Sequence, residues 1–522
     1  MRVRCAGGRA LGAVGLTTVL VAAAGFAPAD RWDGELPFYG QAVDWQPCFT
    51  PEELAAAEDT EGDPDWTSRL ECGTVTVPVN HGDPEGGTID MAVVRHPAQG
   101  PAEQRRGSLV FDFGGPGVPG VERMRSGPLP LSRQTRASFD LVSFDPRGVG
   151  ESAGFTCPRW RAMRAPLEAL RNLGAQEVTD ARLRELDKAA EAYARSCVEE
   201  VGEEFLANTG TVNVVRDLDI LRDALGDRRL NYVGFSYGTR IGALYAEMFA
   251  ENTRALVLDG AMQIERDVIA DGVEQSGGVR AAWETFVDYC LERAPECPFT
   301  DAAQATAETE AILSGVAADP VVLEEGGVGR HELLVLLRES LYTEHRWENA
   351  ARLLARLAAG DTGDDFVRGY LEGALAPRGG ESGSEESAFT AVRCADHTNP
   401  TDPREYREGA RRAADLSPLF GGDQVWSLLP CAHWPVTEVV PTGVSAPMAP
   451  PILVVGTRGD PATPYAWARE LADQLASATL FTYEGGGHTA YAGGRSCVDR
   501  VVDAYLLYGE VPPAGSSCPG EF

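Results

Sequence analysis

The chain has 522 residues, 43% of them apolar and 24% charged, with a formal net charge of −32. That length exceeds one ordinary core, so one large domain with an insertion is expected. A surface so acidic repels nucleic acid and anionic membranes, which excludes both as partners and otherwise serves solubility.

At the start, Arg2, Arg4 and Arg9 precede an apolar run from Leu11 to Phe26, and Ala27-Pro28-Ala29 offers a small-x-small cleavage pattern before Asp30. Residues 1–29 therefore read as a secretory signal peptide. The run is too short and too glycine-interrupted for a stable membrane anchor, so a secreted, extracellular protein is expected. Removing the leader's three arginines takes the charge from −32 to −35, and removing Cys5 leaves ten of the eleven cysteines. An even number in an exported chain indicates disulfides, and no C-x-x-C pair suggests zinc or a redox centre. Ten cysteines allow on the order of 1,000 pairings. Because short loops close most easily, neighbours are expected to pair: Cys48 with Cys72, Cys157 with Cys197, Cys290 with Cys297, Cys394 with Cys431, and Cys497 with Cys518.

From Cys72 onward, β-rich runs alternate with helical ones. GTVTVPV (Gly73 to Val79) and TIDMAVV (Thr88 to Val94) flank a turn and read as a hairpin. SLVFDF (Ser108 to Phe113) and FDLVSFD (Phe139 to Asp145) read as buried strands. Val214, Leu218, Leu221 and Leu225 recur at helical spacing before the stop signal Gly226. LNYVGF (Leu230 to Phe235), a helix from Thr239 to Ala250, and RALVLD (Arg254 to Asp259) follow. This alternation predicts an α/β fold with a doubly wound, mostly parallel sheet. RGGESGSEES (Arg378 to Ser387) reads as a flexible loop.

Two pentapeptides spell G-x-S-x-G: GESAG at 150–154 and GFSYG at 234–238. A serine nucleophile of this kind sits on a tight strand-to-helix turn that lifts its hydroxyl clear of the sheet. Ser236 has a strand behind it and a helix ahead; Ser152 has neither close by. Ser236 is therefore the candidate nucleophile, and GESAG is a loop. The hydroxyl needs a histidine base oriented by a carboxylate, in the chain order Ser, acid, His. His488, in the glycine-rich loop after ATLFTY (Ala478 to Tyr483), is the candidate base. His331 and His345 read as surface residues, and His397 and His433 as structural neighbours of cysteines. Asp460, just past the strand Ile452 to Val455, is the candidate acid; Asp259, at the end of RALVLD, is its rival. Thr463 reads as a helix N-cap with Pro464 at the first helical position. The backbone N–H of Tyr237 and one from the loop FDFGGPG form the expected oxyanion hole.

GGPG at 114–117, DPRGVGES at 145–152, GFSYG, GDPATP at 459–464 and GGGH at 485–488 together resemble the proline iminopeptidase branch of α/β-hydrolases. With WQPC at 45–48 and ECGTVTVPV at 71–79, the chain looks most like the secreted tripeptidyl aminopeptidase family with its TAP-like C-terminal segment. The resemblance implies Ser236, Asp460 and His488 as triad, Gly115 and Tyr237 as oxyanion donors, and no cofactor or metal. It further implies a helical cap whose carboxylates hold the free amine of a peptide substrate; Glu274 and Asp396 are the candidates. The expected organisation is a core from 30 to 262, a cap from 263 to 445 and a TAP-like core segment from 446 to 522, in a monomer. One departure stands out: the family has Asn-Pro before GGPG where this chain has Asp112-Phe113. The leading expectation is a serine exopeptidase acting on free N-termini; a proline iminopeptidase, a small-ester esterase and a catalytically dead binding protein are the alternatives.

Overall fold

The computed structural model describes residues 38–57, 64–173, 178–264, 267–323, 326–375, 383–435 and 443–520. The expected leader, 1–29, lies outside them. Ten strands form one sheet: β1 (Gln46–Pro47), β2 (Glu71–Pro78), β3 (Thr88–His96), β4 (Ser108–Asp112), β5 (Asp140–Phe144), β6 (Leu230–Phe235), β7 (Thr253–Asp259), β8 (Ile452–Gly459), β9 (Ala478–Gly486) and β10 (Ser517–Pro519). Their order is β1-β2-β3-β5-β4-β6-β7-β8-β9-β10. β1, β2 and β3 pair antiparallel, as does β3 with β5; from β5 to β10 every pairing is parallel. Parallel strands are covered on both faces, which is why every residue of β4 and β5 is buried instead of every second one.

Two buried apolar clusters lie on the sheet. One joins Val75, Val110, Tyr232, Leu256 and Val454; the other joins Leu109, Phe111, Val233, Val257 and Val455. Alternate residues of the same strands supply the two clusters, as the period of two requires. The helix Tyr237–Met248 follows β6 directly, and the helix Thr211–Ala224 precedes it, ending before Gly226 in the left-handed region at φ +73°.

The long insertion between β7 and β8 is helix-rich, with a small antiparallel ribbon, Val321–Leu323 against Gly326–Val328. A second piece joins it. The helices Trp160–Leu173 and Asp180–Val201, which lie between β5 and β6, share one buried cluster with insertion residues: Met163, Leu186 and Tyr193 pack with Ile269, Tyr406 and Trp434. The layer above the strand ends thus draws on residues before Ser236 as well as after it. Within the expected loop Arg378–Ser387, residues from Gly383 onward are instead the start of a helix, Gly383–Asp396. Ser387 is buried there and accepts a 2.9 Å hydrogen bond from the backbone of Cys157, which secures the helix start.

All five neighbour disulfides are present, spanning 7 to 40 residues. Among the described residues no helix is long and apolar enough to cross a membrane.

Candidate active site

The two G-x-S-x-G motifs sit in different surroundings. Ser152 lies in a tight loop, is fully buried, and its Oγ accepts the backbone N–H of Ala92 at 2.8 Å. Ser236 stands between β6 and the helix Tyr237–Met248 at φ 55°, ψ −122°. That left-handed conformation is costly for a residue with a side chain, and such strain collects at functional sites. Glycines two before and two after are required sterically: a Cβ on Gly234 would run into the carbonyl of Gly238, and one on Gly238 would lie 2.7 Å from Asp112 Oδ1.

Ser236, Gly115, Tyr237 and His488 line one cavity of about 570 Å³ at the ends of β4 and β6. His488 follows β9, and its Nδ1 lies 3.0 Å from both carboxylate oxygens of Asp460. The carboxylate only accepts, so Nδ1 carries the proton and Nε2 is the basic nitrogen. Burial pushes the His488 imidazolium down, but the charge and hydrogen bond of Asp460, with the charge of Asp259, outweigh it and hold the pKa above the ordinary value. The insertion holds this residue from the other side: the backbone N–H of His488 donates to the Tyr342 carbonyl at 2.9 Å, and the Tyr342 ring meets the imidazole edge-on.

Asp460 is buried and fully engaged. Its Oδ1 accepts the N–H groups of Ala462 and Thr463, each at 2.8 Å, and its Oδ2 accepts the Thr463 hydroxyl at 2.9 Å. The expected N-cap role of Thr463 is therefore corrected. The helix begins at Tyr465 with Pro464 at the cap position and no side-chain cap bond. The reason is local: the turn closed on Asp460 draws the Thr463 hydroxyl inward to the carboxylate. Thr463→Ala is expected to lower kcat about 10²-fold, because a carboxylate loosened by about 1 Å no longer holds the histidine. The stability loss should be only that of one hydrogen bond, about 1 kcal/mol. Thr463→Ser should restore most of the rate; melting temperature and kcat of both variants test this.

Asp259, the rival acid, ends β7 and is fully buried; its Oδ2 accepts the N–H groups of Ala490 and Tyr491 at 2.8 and 2.7 Å. Burial pushes its carboxyl up to about 6. Its contacts support the loop carrying His488, while Asp460 holds the imidazole itself.

The two amine candidates are placed differently. Glu274 is outside the cavity lining, and its Oε2 accepts the indole N–H of Trp467 at 2.8 Å. Asp396 lines the cavity but is already bound: it accepts the Thr211 N–H at 2.7 Å and the Thr211 hydroxyl, and lies 3.5 Å from Arg240. The Thr211 hydroxyl in turn lies 2.6 Å from the Tyr237 phenol, so Asp396 anchors the elbow from behind. Glu339, Glu386 and Asp423 also line the cavity, and sequence reasoning did not single them out. His331, expected at the surface, is buried, 4.0 Å from Glu168 on the helix Trp160–Leu173. Packing of the early helices onto the insertion removed it from solvent. His397 also lines the cavity; its Nδ1 donates to the Arg393 carbonyl at 2.8 Å, and burial with Arg240 lowers its pKa to about 4.

A strained serine on a strand-to-helix turn, sharing a cavity with a histidine held by a buried carboxylate, defines a serine hydrolase. A family model for the alpha/beta hydrolase fold matches residues 114–310, and one for TAP-like protein matches residues 417–518. Serine protease Hip1 of Mycobacterium tuberculosis is 34% identical over 504 residues, covering 92% of each chain. Tripeptidyl aminopeptidase of Streptomyces lividans is 30% identical over 496 residues, covering 91% of this chain and 86% of that protein. Carboxylesterase B of Mycobacterium tuberculosis is 34% identical over 462 residues, covering 86% of each. The chain belongs to the α/β-hydrolase family and carries its TAP-like C-terminal segment.

Proposed function

We propose that this protein is an exported serine exopeptidase that removes short peptides, tripeptides among them, from free N-termini. The observation that carries the reading is His488, held by the buried Asp460, in one cavity with the strained Ser236. In this reading Ser236 Oγ attacks the scissile carbonyl and passes its proton to His488 Nε2. The imidazolium, facing Asp460, hands the proton to the leaving amine as the C–N bond breaks. The Gly115 and Tyr237 N–H groups stabilise the oxyanion; Tyr237 opens its helix, so its N–H has no intrahelical acceptor. Water then attacks the acyl-enzyme with His488 again as base, releasing the short peptide.

The cavity falls in the range of about 300–1,000 Å³ typical of small-ligand sites, which suits a short peptide and not a folded chain. A relative named tripeptidyl aminopeptidase supports a free-amine substrate. On the insertion side, Glu339, Glu386, Asp396 and Asp423 line the cavity where the ammonium group would sit, and Glu274 does not; Asp423 is itself paired with Arg338 at 3.1 Å, as Asp396 is with Thr211. Export is supported by the leader-like start and the five disulfides. The relative named carboxylesterase B favours a second reading, hydrolysis of small esters by the same three residues.

Acetylating the N-terminus of a good peptide substrate is expected to lower kcat/KM by about 2–5 kcal/mol, roughly 30- to 4,000-fold, because a buried carboxylate would lose its cationic partner. A panel of free and blocked mono-, di- and tripeptide chromogenic substrates, with a small ester beside them, tests this. Equal cleavage of free and blocked peptides would overturn the exopeptidase; turnover of the ester alone would establish the esterase.

A further inference from the structure

The residue that departs from the family pattern, Asp112, touches both backbone segments of the proposed oxyanion hole. It ends β4, paired with Gly234 of β6, and is 4% exposed. On one side its Oδ1 accepts the N–H of Gly114 at 2.9 Å, next to Gly115. On the other it packs on Gly238, next to Tyr237, so closely that a Cβ there would lie 2.7 Å from Oδ1 and 2.9 Å from the Asp112 carbonyl oxygen. Gly238 is held in turn by the Tyr232 hydroxyl, which donates to its carbonyl at 2.8 Å. One carboxyl group therefore braces the loop and the elbow together from behind.

We propose that Asp112 is a positioning residue that braces the two oxyanion-donor segments in its neutral form, and that its ionisation switches the site off. The proposal rests on the reading of Ser236 as nucleophile and of Gly115 and Tyr237 as donors. Among the described residues Asp112 has no ion-pair partner, and burying a carboxylate in that way is expensive, so its burial favours the neutral acid. The titratable groups that feel Asp112 are Tyr232 on β6 and Tyr237 on the following helix, and burial holds both phenols protonated. Neither supplies a positive charge. Burial pushes the carboxyl up to about 7, with the Gly114 N–H opposing it. Once ionised, Asp112 places a negative charge behind the donors that must stabilise a developing negative oxygen, and the rate falls. His488 acts in the opposite sense, because it is a base only when neutral. The result is a bell-shaped profile whose acid limb belongs to His488 and whose alkaline limb belongs to Asp112.

The test is the rate at which a fluorophosphonate labels Ser236 between pH 5 and pH 9, in the wild type and in Asp112→Asn, with Asp112→Ser as a second non-titrating variant should the first not fold. A fluorophosphonate carries no amine, so ionisation of the substrate does not enter. Wild-type labelling should fall at least about tenfold from pH 7 to pH 9, while the variants should show no fall. Melting temperature gives a second readout. The folded-state pKa lies above the unfolded value of about 3.9, so the wild type loses stability relative to Asp112→Asn as pH rises from about 4 to 7, and the gap then stays constant. A wild-type profile flat to pH 9, or the same alkaline fall in the variants, overturns the proposal. Failure to label Ser236 at any pH overturns the nucleophile reading instead.

Discussion

Ser236→Ala should abolish turnover while leaving the fold intact. Loss of the nucleophile from a serine triad typically costs about 10⁶ in kcat. Stability should hardly change, because alanine meets the same backbone strain at φ 55° and keeps the Cβ that packs against Gly114. Ser152→Ala should show the reverse. Its Oγ is the acceptor for the buried Ala92 N–H, so removing it leaves a donor unsatisfied at a cost of about 1–3 kcal/mol, while turnover persists. Measuring kcat and melting temperature for both variants separates the motifs. An inactive Ser152→Ala beside an active Ser236→Ala would reverse the assignment.

For Asp460→Asn, a loss of about 10⁴ in kcat is expected, by analogy with the same substitution in other serine triads. An asparagine amide directed at Nδ1 favours the wrong imidazole tautomer and removes the charge that balances the imidazolium. Asp259→Asn should differ in kind. It still offers an oxygen to the N–H groups of Ala490 and Tyr491, so activity should stay within about tenfold of the wild type. The acid limb of the pH profile provides a further check: the Asp460 charge helps hold His488 above its ordinary value, so that limb should move to lower pH in Asp460→Asn. If Asp259→Asn were the inactive variant, the acid would belong to the earlier strand.

Much of the sheet was legible because its strands are short apolar runs bounded by turn residues. Leu230 to Phe235 and the starts at Thr88, Ser108, Ile452 and Ala478 coincide with the observed strands. The strand-to-helix turn at Ser236 was legible because a glycine-flanked serine between a strand and a helix is a local pattern. What escaped depends on packing between distant segments. The place of the helix Asp180–Val201 beside Tyr406 and Trp434 depends on tertiary packing and was invisible in the sequence. Tyr342, more than a hundred residues from His488, carries no sequence signal for the hydrogen bond it accepts. Glu274 and Asp396 were chosen from many acids, and only their partners, Trp467 and Thr211, show how each is used. The Asp112 departure was readable as an oddity; its contact with Gly238 was not.

Among the described residues the ten cysteines are joined in consecutive pairs, and no bridge encloses another. Such a ladder has a consequence for biogenesis. A polypeptide that meets an oxidant N-terminus first always finds the correct thiol emerging next, so correct bonds form in order of arrival without waiting for distant segments. Mispaired species, whose reshuffling takes seconds to hours, are largely bypassed. Recombinant production should therefore depend more on oxidation during delivery than on a supply of isomerase, and refolding of the reduced polypeptide, where all the thiols compete at once, should be the poorer route.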